Sequence, residues 1–424
     1  MNGVTKLFIL LLFTVNVFCQ HALNDYDIEE FDTASFQESI RVTHSDCHDS
    51  RKLSKFLKNA GYFMKNGYNK NIVTCKDDNM FKLELNFKNN SFIDFSEFPL
   101  FEDLTILNIK GNAFVNKTIP NRFFKLPNLK YLYISSPINE VPKNFDEDSP
   151  IENIIFDKCE FTKFPYQLKK LENLKNLNLN FNKISGSLTN EIKEFKNLEK
   201  LKLKANKLKG ELIIPDNLNE IYIDGNGFTS YSVNNTNEEL IKFSGSFNDF
   251  DNNFLMELTK LKSLKYINIG NNKQITEIPS NIYQLEDLEI LNVKATSIQK
   301  LPNNLFKLKN LKVLDISNNQ QLKAKIIKLE DNNTINNCRL YDTNILCYEK
   351  DACDEIFGKK LERDEFNYTL CTDEEINDIR MNMDRTVEEE KLLNKNSSSI
   401  KTIAYKYISF KSIITLIIML IVIM

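Results

Sequence analysis

Side chains able to carry out acid–base or nucleophilic chemistry are scarce in this 424-residue chain. The three histidines, His21, His44 and His48, all lie near the N-terminus, so the long middle of the chain has neither an imidazole base nor a histidine ligand for a metal. No GxSxG, Walker A, HExxH or GxGxxG motif stands in a suitable context. The paired carboxylates Glu374 and Glu375 fall in a polar segment that would not enclose a substrate. The sequence therefore predicts a protein that is not an enzyme and that needs no cofactor or metal.

Composition narrows the class of protein further. The chain has 55 Lys and Arg against 58 Asp and Glu, and this near balance argues against a nucleic-acid binder. It is 42% hydrophobic and contains 31 Phe and 15 Tyr, which is enough apolar material for a large folded core. A wholly disordered chain is excluded on the same grounds.

A repeat of 20 to 25 residues fills the middle of the chain. The pattern Leu-x-x-Leu-x-Leu-x-x-Asn, with Ile accepted for Leu, begins at ten positions: Leu104, Leu129, Ile151, Leu174, Leu198, Leu218, Leu240, Leu264, Leu288 and Leu311. A degenerate eleventh copy begins between Met80 and Lys82. Within each copy the alternating leucines place two side chains on one face of a short strand, and stacked copies form a parallel sheet over a continuous apolar core.

The ninth position of the repeat is where the chain turns away from the strand. A buried Asn suits this turn because its side chain has two donors and an acceptor for backbone groups. The position is held by Asn112, Asn182, Asn206, Asn226, Asn248, Asn272 and Asn319, and by Cys159 and Thr296 in two other copies. Pro137 replaces it once, so we expect that turn to lose its side-chain hydrogen bond. Gly245 takes a core position, where we expect a local irregularity or kink.

The half-repeats Asn182–Leu188 and Asn206–Leu212, together with Ile119-Pro120 and Ile278-Pro279, resemble those of plant-type extracellular leucine-rich repeat proteins, which also occur in fungi and protists. The resemblance covers roughly residues 45 to 350. It implies an α/β leucine-rich repeat solenoid, shaped as a horseshoe, with a parallel β-sheet on the concave face and 3-10 or irregular segments on the convex side. Copies such as Lys300-Leu-Pro302 lack the glycine and resemble shorter repeat types. The resemblance also implies a recognition surface rather than an enzyme.

The cysteines outside the repeats lie at the two ends of the predicted solenoid. Cys47 and Cys75 flank a short amphipathic helix around Leu53–Leu57, and we predict that they form a disulfide. Four more, Cys338, Cys347, Cys353 and Cys371, follow the last repeat and allow three pairings. We therefore expect disulfide caps over both apolar ends, while Cys159 is expected to be a buried free thiol. A zinc site is disfavoured because no paired CxxC is present.

Both termini read as targeting signals. Residues 1–19 have the charge, the short apolar run and the plausible cleavage site of a secretory signal peptide. At the other end, residues 399–424 combine a polar spacer with an apolar tail. As a helix, the tail would reach only about 18 Å against a hydrocarbon core of about 30 Å. This favours a GPI-attachment signal at Asn396 over a transmembrane anchor, and no cytoplasmic domain is expected in either case.

The remaining boundaries follow from these features. We predict an N-terminal segment and cap over residues 20–79, the solenoid over 80–325, a C-terminal cap over 326–371 and an acidic stalk over 372–398. Sequons that a secreted chain could glycosylate stand at Asn89, Asn116, Asn234, Asn332 and Asn367. The predicted location is the cell surface, with the ectodomain outside and the membrane reached through the C-terminal anchor.

Residues flanking the core leucines of each strand should point onto the concave face, where a ligand would bind. Aromatic, amide and charged side chains there could stack on sugar rings or anchor a peptide. The candidates are Tyr131, Tyr133, Ile155, Asn178, Phe181, Lys200, Lys202, Lys204, Tyr222, Asp224, Tyr266 and Asn268.

The function predicted from these features is recognition of an extracellular protein, peptide or polysaccharide. The alternatives are a structural or adhesive component of the cell wall, and a co-receptor that lacks its own signalling domain and works with a membrane partner. The lysine triplet could attract an acidic partner or simply be solvated.

Overall fold

The computed structural model describes residues 47–60, 72–76, 78–87, 92–111, 113–231, 238–328, 334–357 and 369–381. The predicted signal peptide, most of the predicted stalk and the C-terminal tail lie outside these ranges. So do Asn112, the sequons at Asn89, Asn234, Asn332 and Asn367, and the predicted anchor site Asn396. Asn116 is the one predicted glycosylation site within the described ranges, and its side chain is exposed.

The architecture is a solenoid built on a 14-stranded sheet. Except for the antiparallel pair β1–β2 at the N-terminal end, neighbouring strands are parallel. The strands of this sheet, in spatial order, are β1 (Ile72–Lys76), β2 (Asn79–Asn86), β3 (Ile106–Lys110), β4 (Tyr131–Ser135), β5 (Asn153–Ile155), β6 (Asn176–Asn178), β8 (Lys200–Lys202), β10 (Glu220–Tyr222), β12 (Lys242–Ser244), β13 (Tyr266–Asn268), β14 (Ile290–Asn292), β15 (Val313–Asp315), β17 (Ile335–Arg339) and β19 (Cys353–Phe357). The leucine-rich repeat solenoid predicted from the sequence is confirmed, including the degenerate copy at β2.

The register of the sheet follows directly from the repeat. The central leucine of one strand pairs with the central leucine of the next, as Leu177 does with Leu201 and Leu291 with Leu314. These leucines are buried in one continuous apolar core, and the side chains on either side of them point to the opposite face. A slip of one residue would expose the whole apolar row to solvent, so the alternation fixes the pairing.

The convex side carries short helical turns, as the sequence predicted. In the described ranges, four of these turns are 3-10 helices, over Tyr166–Lys170, Asn190–Glu194, Ser280–Gln284 and Asn303–Lys307. Two are α-helical, over Asn121–Phe124 and Asn252–Leu258. Proline precedes four of these six turns, where its fixed φ suits the entry into a helix. Within the described residues, no helix has both the length and the apolar character that a membrane span requires.

Two smaller sheets run along the side of the solenoid. One consists of β7 (Ser185–Gly186), β9 (Lys207–Leu212) and β11 (Gly227–Tyr231), and the other of β16 (Lys323–Ile326) and β18 (Asn344–Tyr348). The first arises from the Asn-x-Leu-x-Gly half-repeats. Gly186 and Gly210 there have φ of 89° and 84°, a region that disfavours any residue with a Cβ. This sheet gives the solenoid a second, lateral surface next to the concave one.

Asparagines at the ninth repeat position form a ladder that joins successive turns. In Asn206, the amide nitrogen donates to Leu179 O in the preceding repeat and to Leu203 O in its own, and the amide oxygen accepts from Ile184 N. The pattern recurs at Asn182, Asn226, Asn248, Asn272 and Asn319. At Asn319 the oxygen accepts from the Thr296 hydroxyl instead of a backbone N–H. The other asparagines satisfy backbone groups that no strand can pair.

Two repeats have another residue, Cys159 or Pro137, in place of the ladder asparagine. Cys159 is a buried free thiol, as predicted, and its Sγ donates to Ile134 O at 3.3 Å. The prediction for Pro137 was wrong, because the turn keeps a side-chain hydrogen bond: Ala113 N donates to the hydroxyl of the preceding residue, Ser136. A neighbouring hydroxyl thus supplies the acceptor that proline cannot.

The kink expected at Gly245 is absent from the sheet. Strand β12 pairs in unbroken register with β10 and with β13. The space that a side chain at Gly245 would take is filled by two aromatic rings, since a Cβ there would lie 2.8 Å from both Phe243 and Phe250. The repeat departs from its neighbours on the convex side instead, where Asn252–Leu258 forms an α-helix capped by the Asp251 carboxylate.

The N-terminal cap is a helix and a hairpin joined by a disulfide. Helix α1 (His48–Asn59) contains the predicted amphipathic stretch and buries Leu53 and Leu57 against the first strands. The predicted Cys47–Cys75 disulfide is confirmed, and the carboxylate of Asp49 accepts from Met80 N at 3.0 Å. The helix therefore covers the apolar end of the core.

The C-terminal cap, predicted over residues 326–371, contains the last two strands of the large sheet, β17 and β19. The four cysteines pair as Cys338–Cys353 and Cys347–Cys371. The first disulfide therefore links two neighbouring strands of the sheet itself.

The segment interpreted as a stalk begins with a helix, over residues 373–381, that lies on the cap. Its Ile376 is buried, Glu375 pairs with Lys325 at 2.9 Å and Arg380 pairs with Glu349 at 2.8 Å. Arg380 also donates to Lys328 O at 3.2 Å. These contacts make the first residues of the predicted stalk part of the folded domain.

Candidate functional site

The candidate site is the concave face of the large sheet. The third and fifth residues of each repeat flank the central leucine and therefore project from this face, and the seventh follows at the end of the strand. All twelve residues predicted from the sequence lie on the strands of this face or just after them. They fall into two groups, one on β4 to β6 and the other on β8 to β13.

The first group is aromatic and amide-rich. Tyr131 and Tyr133 lie on β4 with their rings nearly parallel, at an interplanar angle of 6° and a centroid distance of 6.4 Å. Burial, and secondarily the neighbouring Tyr131, raise the pKa of Tyr133 to about 12. Next to Tyr133 on β5 is the half-buried Ile155, and Asn178 follows on β6. This group forms a flat, partly apolar surface with polar edges.

Phe181 lies at the end of the same group, where the chain leaves β6. Its φ of 55° is unusual for a residue with a side chain and marks the turn toward the ladder residue Asn182. The ammonium group of Lys158 lies 5.9 Å from the centroid of the Phe181 ring, within the range of a cation–π contact. Asn178 is also engaged, since its side-chain oxygen accepts from Asn180 N at 2.9 Å.

The second group is a network of charges on β8 and β10. Lys200 forms an ion pair with Glu220 at 2.9 Å, and Tyr222 donates its hydroxyl to the same carboxylate at 2.8 Å. The ammonium groups of Lys202 and Lys204 each lie 4.9 Å from the centroid of the Tyr222 ring. Every member of the lysine triplet is therefore engaged by a neighbouring side chain, which weakens the idea that it attracts an acidic partner.

Beneath this network lies a buried carboxylate, Asp224, which is only 1% exposed. One of its oxygens accepts from the Ser244 hydroxyl at 2.8 Å and from Ser246 N at 3.0 Å. The other oxygen lies 3.6 Å from the ammonium group of Lys204. Burial lowers the pKa of Lys204, although the charge of Asp224 acts in the opposite direction. Lys204 and Tyr222 are each only 6% exposed, so little of these two predicted side chains or of Asp224 is open to solvent.

The network extends to β13 through residues that the sequence analysis missed. The Ser246 hydroxyl donates to the Asn268 side-chain oxygen at 2.7 Å, and the Asn268 amide donates to the Ser244 hydroxyl at 3.3 Å. The serines thus join the predicted residues Asp224 and Asn268. They occupy the fifth and seventh positions of the repeat that begins at Leu240, so the repeat alignment already contained the signal.

Asp157 was also missed. It occupies the seventh position of its repeat, next to the aromatic group, and burial raises its pKa despite the charges of Lys158 and Lys110. Asn153 and Asn176, on β5 and β6, are joined by a side-chain hydrogen bond of 2.6 Å. These residues extend the polar edge of the tyrosine pair.

The two groups are contiguous but separate. β4 and β8 are three strands apart in the sheet, which corresponds to about 14 Å at the usual strand spacing. Tyr266, on β13, lies two strands beyond Tyr222. The concave face therefore offers an aromatic surface on one side and a fixed polar network on the other.

Among the described residues, the only group of side chains close enough to share a metal ion is Cys347, Cys371 and Glu375. The two cysteines are joined in a disulfide and cannot serve as thiolate ligands.

Comparison with known proteins agrees with this architecture. Residues 240–346 match a model described as a leucine-rich repeat region, and residues 173–195 match one described as a leucine-rich repeat. No curated protein matches the sequence significantly. Among solved structures, the TLR13–ssRNA13 complex has a TM-score of 0.50 and 23% identity, over 66% of this chain and 47% of that one.

Two further structures are similar at lower scores. The ectodomain of the membrane receptor kinase GASSHO1/SCHENGEN3 from Arabidopsis thaliana, in complex with CASPARIAN STRIP INTEGRITY FACTOR 2, has a TM-score of 0.49 and 20% identity, over 64% of this chain and 34% of that one. An internalin from Listeria monocytogenes has a TM-score of 0.44 and 18% identity, over 62% and 81% of the two chains. The chain thus spans about a third of the plant ectodomain.

Proposed function

We propose that this leucine-rich repeat chain is a non-catalytic recognition protein whose concave face binds an extended peptide or polysaccharide. Proteins of this fold are typically binding surfaces rather than enzymes. The observation that carries the proposal is the parallel tyrosine pair on β4, which lies beside a row of amide side chains. Flat aromatic rings with polar neighbours suit both sugar rings and peptide side chains.

Preorganisation of the face supports the same proposal. Lys200, Tyr222, Asp224 and Asn268 are held by hydrogen bonds, ion pairs or ring contacts. Binding therefore orders few side chains, which reduces the entropic cost of association. Because these charges are largely neutralised within the protein, the fixed network favours a ligand that is neutral or weakly charged.

The test uses glycan and peptide arrays probed with the full chain. We expect the double substitution Tyr131→Ala and Tyr133→Ala to weaken binding to the positive array ligands about thirtyfold or more, since each aromatic anchor at the centre of an interface contributes roughly 1–3 kcal/mol. Tyr166→Ala, on the convex side, is the matched control. Tyr222 is avoided because it is buried and its loss would disturb the network.

Circular dichroism melting of each variant separates loss of the site from loss of the fold. Equal binding by the tyrosine double variant and the wild type, with both folded, would place the ligand elsewhere and contradict the concave-face proposal.

We also propose that the protein acts at the cell surface. The three disulfides among the described residues favour an oxidising, extracytoplasmic compartment. The signal peptide and the GPI attachment at Asn396 remain predictions from the sequence. Treating intact, surface-labelled cells with a phosphatidylinositol-specific phospholipase C tests the anchor. Release of the label supports it, and retention while a known GPI-anchored control is released argues for a membrane span.

A further inference from the structure

An open groove lies on the lateral surface of the solenoid. It has a volume of about 580 Å³ and is bounded by β9, β11 and the turn before β9, together with Asp249 of the next repeat. We call it the lateral groove and define it by Lys207, Lys209, Gly227, Thr229 and Asp249. Its volume is within the range of about 300–1,000 Å³ that is usual for small-ligand sites. None of these residues belongs to the concave face.

The groove exists because a glycine interrupts a row of side chains on the lateral surface. The residue after each ladder asparagine is Lys183, Lys207, Gly227 and Asp249 in four successive repeats. A Cβ on Gly227 would lie 3.3 Å from Leu208 O, 3.6 Å from Lys209 Cβ and 3.8 Å from an oxygen of Asp249. A side chain at this position would therefore fill the space between Lys209 and Asp249, which glycine leaves open.

The charged side chains around this gap have no oppositely charged partner within the described part of the chain. Lys207, Lys209 and Asp249 are exposed, and none of them forms an ion pair there. Lys183, one repeat earlier, does pair, with Glu160 at 3.1 Å. Lys209 and Asp249 flank the gap on opposite sides without closing it by a salt bridge.

We propose that the lateral groove binds an acidic amino acid through its α-ammonium group and its two carboxylates. Asp249 would receive the ammonium group, and Lys207 and Lys209 would receive one carboxylate each. Two ammonium groups and one carboxylate in the groove complement two carboxylates and one ammonium group in the ligand. Gly227 and Thr229 also line the groove, and the Thr229 hydroxyl donates to Gly210 O at 3.4 Å. Free glutamate is a source of all three groups, whereas the N-terminal glutamate of a peptide is a source of the ammonium group and one carboxylate only.

Isothermal titration of the full chain with two probes distinguishes these sources. The probes are free L-glutamate and the amide of the peptide Glu-Gly-Gly-Gly, which keeps the ammonium group and only the side-chain carboxylate. We expect glutamate to bind and N-acetylglutamate, which lacks the ammonium group, to fail. Asp249→Asn and Lys209→Gln should each weaken binding about tenfold, the effect of removing one charged hydrogen-bond partner. We expect glutamate to bind more tightly than the peptide; a peptide that binds as tightly as glutamate would overturn the assignment of a second carboxylate to the groove.

The matched controls are Lys196→Gln and Asp216→Asn, which remove one charge of each sign from exposed positions outside the groove. They should leave the binding unchanged. The proposal is overturned if neither probe binds at millimolar concentration, or if the control variants weaken binding as much as the groove variants do. Because the tyrosine pair is untouched in all four variants, failure here leaves the concave-face proposal intact.

Discussion

The asparagine ladder leads to a quantitative prediction at Asn272, whose side chain is 0% exposed. Its amide nitrogen donates to Ile269 O at 2.7 Å and to Gly245 O at 3.0 Å, and its oxygen accepts from Phe250 N at 3.1 Å. Gly245 O also accepts from Asn248, so it keeps one partner if Asn272 is removed. Asn272→Ala therefore leaves two buried backbone groups, Ile269 O and Phe250 N, without these hydrogen bonds.

Each buried group that loses its partner costs about 1–3 kcal/mol, so we expect Asn272→Ala to destabilise its repeat by roughly 3 kcal/mol. A second substitution separates the contributions of these two backbone groups. In the following repeat, Thr296 occupies the ladder position and donates its hydroxyl to Val293 O at 2.9 Å. Asn272→Thr should likewise satisfy Ile269 O but not Phe250 N, and it should cost about half as much as the alanine.

Hydrogen exchange followed by mass spectrometry is the suitable assay, because a repeat array need not unfold in one step. A loss of about 3 kcal/mol should speed exchange in peptides from residues 264–287 roughly a hundredfold where local opening is limiting. Asn310→Ala, at an exposed position where the amide donates to Glu286 O, is the matched control. An alanine variant at Asn272 that exchanges no faster than the control would refute the role assigned to the ladder.

Two further predictions concern titratable groups. Burial raises the pKa of Tyr133 to about 12, so the folded state favours the neutral phenol. The resulting stabilisation of the fold is complete below the ordinary tyrosine pKa near 10 and is lost as the pH rises toward 12. Because the side chain is partly exposed, we expect the free energy of unfolding to fall by only about 1–2 kcal/mol over this pH range. Urea unfolding of Tyr133→Phe should show a smaller fall than the wild type. Equal falls in the two proteins would contradict the role assigned to Tyr133. Burial also raises the pKa of the Cys159 thiol to about 12. Iodoacetamide at neutral pH should therefore not label this thiol in the native protein, but should label it after unfolding with the disulfides intact. Peptide mapping measures the labelling. Labelling of the native protein at Cys159 would show that the thiol is accessible.

Much of the fold was accessible from the sequence because it depends on local periodicity. The spacing of the leucines fixes which residues enter the core and which point to the concave face. The Cys47–Cys75 disulfide and the buried Cys159 thiol could be predicted for the same reason, since their positions relative to the repeat are explicit in the chain. The pairing of the last four cysteines could not, because it depends on the stacking of β17 against β19 and on the course of the chain after β18.

The errors share a physical origin. Pro137 and Gly245 were judged by their own properties, whereas the structure compensates through neighbours, the Ser136 hydroxyl in one case and the Phe243 and Phe250 rings in the other. Strands β17 and β19 continue the sheet beyond the leucine pattern, because backbone pairing does not need that pattern.

The sequence by itself therefore determined the repeat, the parallel sheet and the membership of the concave face. Each of these follows from a period along the chain. Only the tertiary structure decided which concave side chains remain available, because that depends on side chains in adjacent repeats, as with Tyr222 and Asp224 beneath Lys204. The lateral groove has the same origin. Gly227 is unremarkable in the sequence, and it creates a cavity only because the stacking of turns places Lys209 and Asp249 on its two sides.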